Sequence, residues 1–214
     1  MPLHYPNGNL YHNDAKAQPK KQMARSQTRF DNRGMSLEEE INESNQFYRA
    51  RDIAVVYKKP LPLQIVKVDY PKRSAAVIKE AYFRQPSTTD YNGVYRGYYL
   101  DFEAKETKNK ASFPLKNFHQ HQIEHMRHCL RQAGICFVIM RFVSLNRLFV
   151  YPASLLIAHW DQQNTGGRKS IPLTDIETNG FEVHYALKPR IPYLTAIDQF
   201  IATLTIEKGD HHGQ

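Results

Sequence analysis

Asp101-Phe102-Glu103-Ala104-Lys105, preceded at a short distance by Asp90, is the stretch whose reading decides the fold. It lies in a run from about Tyr98 to Glu106 that predicts a β-strand, and successive side chains of a strand point to opposite faces. Tyr99, Asp101, Glu103 and Lys105 therefore project one way, and Leu100, Phe102 and Ala104 project the other, into a core. Any half-exposed antiparallel strand alternates like this. What marks this one is its company: two carboxylates, a lysine, and an upstream aspartate arriving at a neighbouring strand end. Asp90 and Glu103, with the backbone carbonyl of Ala104, offer the hard oxygen ligands that Mg²⁺ prefers. Lys105 would then stand beside a metal-acidified water and a phosphate, orienting the one and offsetting charge on the other. Asp101 suits either a further metal ligand or a partner for Lys105, and its position in the strand leaves both open.

Outward from this strand the chain reads as α/β. Ser36 with Glu39 three residues on is a capping box, and Leu37, Ile41, Ser44 and Tyr48 continue at helical spacing, predicting a helix over 36–51. Ile53 to Tyr57 is rich in β-branched residues and stops at Lys58-Lys59-Pro60, and Leu63 to Val68 reads as another extended segment. From about Asp69 to Thr89 the pattern breaks into an insertion between Pro71 and Pro86, with only a weak apolar stripe of Ala75, Ile78 and Tyr82. Asn92-Gly93 is read as a turn. Lys116 to Ala133 predicts a second helix closed by Gly134, Ile135 to Val143 and Arg147 to Tyr151 two strands, Ala153 to His159 a short helix, and Pro192 to Ile206 a last one. The expectation is a mixed central β-sheet covered by helices on both sides.

Composition bounds the class. With 29 Lys plus Arg against 21 Asp plus Glu in 214 residues, the formal charge is +8, which favours polyanionic partners. Residues 12 to 34 carry Lys16, Lys20, Lys21, Arg25, Arg29 and Arg33 against Asp14 and Asp31, and read as a disordered basic arm. Apolar runs such as Ile135 to Met140 fall far short of the roughly 20 residues of a membrane span, and no secretory h-region of about 7 to 15 residues opens the chain, so a cytoplasmic protein without a membrane partner is expected. Cys129 and Cys136 are too few for a disulfide framework and read as free buried thiols.

Asp90 followed by Glu103-Ala104-Lys105 resembles the Asp…Glu-x-Lys motif of the PD-(D/E)xK nucleases, with Thr89 where a proline often precedes the aspartate. The wider context, Arg33-Gly34-Met35-Ser36-Leu37-Glu38, Ile41-Asn42, Tyr91-Asn92-Gly93, Asp101 to Thr107, Phe113-Pro114-Leu115 and His121-Gln122-Ile123-Glu124-His125, resembles the RecU family of Holliday junction resolvases from about residue 30 to about 200. The resemblance implies a restriction-endonuclease-like core and a homodimeric, Mg²⁺-dependent endonuclease, with Mn²⁺ a substitute, that cuts four-way DNA junctions during recombination and repair. It implies that Asp90 and Glu103 are metal ligands, that Lys105 is the catalytic lysine, and that Glu38 reaches in from the first helix. An acidic first turn also favours the helix dipole without any chemistry. Gln122 falls where related nucleases often have a site-facing glutamine, and otherwise reads as a surface polar residue.

The insertion becomes, by the same resemblance, a protruding stalk entering the junction centre. Lys72, Arg73, Lys79 and Arg84 suit phosphate contacts, and Tyr82 and Phe83 suit stacking on unpaired bases. A helical hairpin packed on its own domain is the plainer reading. The expected organisation is a basic arm at 1–33, a nuclease domain at 34–206 with the stalk at about 69–89, and a flexible tail at 207–214. A recombinase of the RecA type and a branch-migration helicase are the expected partners near the nucleoid. A non-catalytic junction-binding and remodelling module is the alternative. His121 to His125 is not a zincin motif, because Gln122 stands where the general-base Glu belongs, and Gly166-Gly167-Arg168-Lys169 lacks the order of a nucleotide loop.

Overall fold

Ser36 caps the first helix as the sequence predicts. In the computed structural model, which describes residues 35–69, 76–83 and 88–210, its hydroxyl accepts from the Glu39 N–H while the Glu39 carboxylate accepts from the Ser36 N–H, and helix α1 runs Leu37–Arg49. The chain continues through β1 (Val55–Lys58), β2 (Leu63–Asp69), β3 (Val77–Phe83), β4 (Tyr91–Tyr95), β5 (Tyr98–Thr107), β6 (Ser112–Pro114), α2 (Gln120–Arg131), β7 (Ile135–Phe142), β8 (Arg147–Pro152), α3 (Ala153–Gln163), β9 (Ser170–Pro172), α4 (Leu173–Asn179), β10 (Phe181–Glu182) and α5 (Leu194–Asp210). The last helix thus continues past Ile206. The expected arm at 1–33 and residues 211–214 of the expected tail lie outside the described residues.

The main sheet has six strands in the order β1-β4-β5-β7-β8-β10, all antiparallel except the parallel pair β5 and β7, which the α2 crossover joins. Helices cover both faces. Leu100 and Phe102 pack with Leu37, Ile41, Tyr193 and Ile197 of α1 and the α5 region, and Phe102 is stacked between Tyr91 and Phe137 at ring-centroid distances of 4.8 and 4.6 Å. On the other face Val138 and Met140 pack with Ile123, Met126, Leu156 and Ile176 from α2, α3 and α4. The β5/β7 register pairs Asp101 with Cys136, Glu103 with Val138 and Lys105 with Met140. The polar face of β5 is therefore the face that α2 covers. Asp101 and Glu103 are both fully buried, so β5 is an interior strand and not a half-exposed one.

Two turn expectations are corrected. Asn92 and Gly93 lie within β4, and the reversal between β4 and β5 falls at Arg96-Gly97, both at positive φ (50° and 81°). Gly93 serves close packing, because a Cβ there would stand 2.2 Å from the Val55 carbonyl oxygen of β1. At the end of α2 the left-handed residue is Ala133 (φ 59°), not Gly134, whose N–H donates to the Cys129 carbonyl.

The insertion begins earlier than its prolines suggest. β2 and β3 pair only with each other, from Leu63 opposite Phe83 to Asp69 opposite Val77, so the segment is a β-hairpin and not a helical one. Leu63, Ile65, Val66, Val77, Ile78 and Tyr82 stay exposed because no element of the main sheet pairs with these strands.

Candidate active site

β1, β4 and β5 bring the Asp…Glu-x-Lys residues together. Pairing of Tyr91 with Phe102 sets Asp90, just before β4, beside Glu103, and the Asp90 N–H donates to Glu103 Oε2 at 3.1 Å. Lys105, two residues on and on the same face, holds its Nζ 2.8 Å from Glu103 Oε1. That approach lies off the hydrogen-bond line, so a fully buried carboxylate oxygen has no well-aligned donor. Burial pushes the Glu103 carboxyl up to about 8, the neighbouring Asp90 carboxyl adds to the rise, and Lys105 opposes it. Two neighbouring acids, one of them with an undersupplied buried oxygen, form a donor set suited to a hard divalent cation.

The remaining predicted residues are placed as follows. The Ala104 carbonyl belongs to the same strand, and Ala104 with Asp90, Glu38, Ser36 and Glu106 lines a hollow of about 190 Å³ beside the pair. Glu38 is half-exposed on the first turn of α1 and forms an ion pair with Lys58. Gln122 is buried, not a surface residue, and its Oε1 accepts from the His119 N–H at 3.0 Å, capping α2. Asp101 accepts from Lys59 at 2.7 Å, Tyr99 at 2.9 Å and Thr89, and lies 3.0 Å from His125 Nε2. Its carboxylate is engaged away from the Asp90 and Glu103 pair, and Lys105 pairs with Glu103 instead of with it.

The sequence reading missed part of this face. His125, Cys129 and Asp101 bring ligand atoms within 4.8 Å of one another, a group that could hold a metal ion. His121 was set aside with the zincin comparison, yet its Nε2 is buried without a hydrogen-bond partner. Burial lowers its pKa, helped by His119 and Lys105, while Asp90 opposes the shift, which places the imidazole within electrostatic reach of the site. Lys59 carried no signal beyond a basic residue before a proline. On the hairpin, Lys79 pairs with Asp69 at 3.6 Å and Tyr82, 59% exposed, donates to Glu80 at 2.6 Å. Lys72, Arg73, Arg84, Arg29, Arg33 and the Phe83 side chain lie outside the described residues.

A mixed sheet flanked by helices, with Glu103 and Lys105 on one face of β5 and Asp90 beside them just before β4, is consistent with a nuclease-like core. The family Recombination protein U matches residues 32–199, and the chain belongs to this RecU family. It is 69% identical over 204 residues to the Holliday junction resolvase RecU of Latilactobacillus sakei, covering 94% of this chain and 97% of the relative. It is 68% identical over 203 residues to the protein of the same name from Lacticaseibacillus casei, covering 95% and 97%, and 57% identical over 211 residues to that of Limosilactobacillus fermentum, covering 99% and 100%.

Proposed function

We propose that this chain is a structure-selective endonuclease that resolves four-way DNA junctions by paired phosphodiester hydrolysis in homologous recombination and repair. The observation that carries the reading is the buried Glu103 carboxylate set against Asp90 and Lys105, in a chain so similar to proteins named as resolvases. Asp90 and Glu103, with the Ala104 carbonyl and Gln122 as a further candidate, would hold Mg²⁺, for which Mn²⁺ would substitute. Such an ion polarises the phosphate and acidifies a water. Lys105 would orient the attacking water and offset charge on the phosphate oxygens. Burial of Glu103 keeps its field weakly screened. Glu38, at the rim of the hollow, bounds the path to the phosphate. The ends produced are 5′-phosphate and 3′-hydroxyl.

The hairpin serves as the stalk. Lys72, Arg73, Lys79 and Arg84 contact phosphates, Tyr82 and Phe83 stack on crossover bases, and Arg29 and Arg33 track the backbone. A homodimer matches the near two-fold symmetry of a junction, and exposed Val55, Tyr57 and Val94 at the edge of the sheet supply apolar surface for a second copy to cover. Among the described residues no helix is long and apolar enough to cross a membrane. Action at the nucleoid, with a RecA-type recombinase and a branch-migration helicase, completes the proposal. The test is to incubate the protein with four-way and linear DNA, with and without EDTA, beside Asp90→Asn. Cleavage of the junction only with divalent metal, lost in the variant, is the expected result. Wild-type cutting by Asp90→Asn sinks the assignment of Asp90, whereas junction binding without cleavage by the wild-type protein in Mg²⁺ leaves a junction-binding module.

A further inference from the structure

Lys59 follows β1 and precedes Pro60, which disfavours helical backbone at the residue before it. Extended there, the Lys59 N–H prolongs the β1/β4 ladder by donating to the Asp90 carbonyl at 2.7 Å. Its side chain turns under the sheet to the α2 face, where Nζ donates to Asp101 Oδ2 at 2.7 Å and to Thr89 Oγ1 at 3.0 Å, and lies 3.4 Å from His125 Nε2. The Thr89 hydroxyl in turn donates to Asp101 Oδ1. The ammonium is 17% exposed, Thr89 2% and Asp101 not at all. Asp101, His125 and Cys129 are the group that could hold a soft metal ion. Lys59 Nζ already stands within reach of two of them, so the positive charge balancing Asp101 is an ammonium.

One residue thus grips two successive residues: the hydroxyl of Thr89 through Nζ and the carbonyl of Asp90 through its own backbone. Between those grips lies the peptide whose N–H donates to Glu103 Oε2. We infer that Lys59 is a positioning residue, which acts through Thr89 and Asp101 to hold Asp90 in register with Glu103. The inference rests on the reading of Asp90 and Glu103 as the pair that holds the divalent ion. Partners of this kind, one step behind the ligands, typically contribute about 10- to 100-fold in metal affinity or activity, and misplacing a reacting group by about 1 Å can cost about 10²-fold.

The experiment compares wild type, Lys59→Met, Lys59→Ala, Thr89→Val and Asp90→Asn as full-length proteins. Mn²⁺ binding is read by electron paramagnetic resonance without DNA, junction affinity in EDTA, and single-turnover cleavage at saturating protein. Lys59→Met keeps the aliphatic stem and deletes the charge, while Thr89→Val deletes only the hydroxyl linking Lys59 to Asp101 and serves if Lys59→Met does not fold. Expected in both is Mn²⁺ affinity and cleavage rate lowered about 10-fold or more, with junction affinity in EDTA within about 2-fold of wild type, and partial recovery of the rate by ethylammonium in Lys59→Ala. Wild-type Mn²⁺ binding and rate in either folded variant overturns the inference, as does an equal loss of junction affinity in EDTA, which marks a general structural role. Unimpaired Mn²⁺ binding and cleavage in Asp90→Asn would overturn the metal-site reading itself, so the two failures are distinguishable.

Discussion

Two carboxylates stand two residues apart on one face of β5, both fully buried, and their surroundings make them opposites. Asp101 is supplied by Lys59, Thr89, Tyr99 and His125. Glu103 has the Asp90 N–H on one oxygen and a misaligned lysine on the other, and a second acid beside it. Asp101 is met by a full set of aligned donors within the fold, whereas Glu103 meets one aligned backbone donor, an off-line ammonium and a second carboxyl. Burial is common to both, so it is the supply of donors that separates a satisfied carboxylate from an undersupplied one.

The same change, acid to amide, made at each position tests that contrast. Glu103→Gln is expected to lower junction cleavage by at least about 10³-fold while leaving the metal-free protein at least as stable as wild type at pH 8. Asp101→Asn is expected to destabilise by about 3 kcal/mol, because it leaves Lys59 buried and unpaired; denaturant unfolding in EDTA reads both. Equal stability losses at the two positions would erase the distinction. Lys105→Met should follow with a rate loss of about 10²-fold and Mn²⁺ binding retained, separating orientation of the water from possession of the ion.

pH sharpens the contrast further. Between 4.5 and about 8 the folded protein keeps a proton on Glu103 that the unfolded chain has released, so the metal-free protein loses stability as pH rises through that window. Its Tm should drop by on the order of 5 °C from pH 5 to pH 8 in EDTA. Mg²⁺ should raise Tm more at pH 8 than at pH 5, and Glu103→Gln should flatten the profile. Smallest is the hairpin effect: replacing Lys72 and Arg73 with Ala should weaken junction binding a few-fold, more than linear duplex binding and without a change in Tm. Equal weakening on both DNAs would reduce the hairpin to a generic electrostatic surface.

The elements with local signals were legible. The Ser36 capping box, the alternation of β5, the apolar face of α2 and the strands either side of Asn146 all depend on residues close in sequence. The turn at Arg96-Gly97 was hidden by the stronger Asn92-Gly93 signal, whose glycine answers to the approach of β1. The short elements α4, β6, β9 and β10 give too few residues for any period to show. Asp90, Glu103 and Lys105 could be picked out by type and spacing. His121, His125 and Lys59 could not, since each joins the site across long stretches of chain.

By itself the sequence determined the mixed α/β class and singled out Asp90, Glu103 and Lys105 as candidates, because strand periodicity and side-chain chemistry are properties of neighbours. Tertiary structure alone decided that Asp101 is satisfied and Glu103 is not. That outcome depends on which donors β1 and α2 bring to the buried face of β5, and the free energy of a buried charge is set by such contacts and not by its place in the chain.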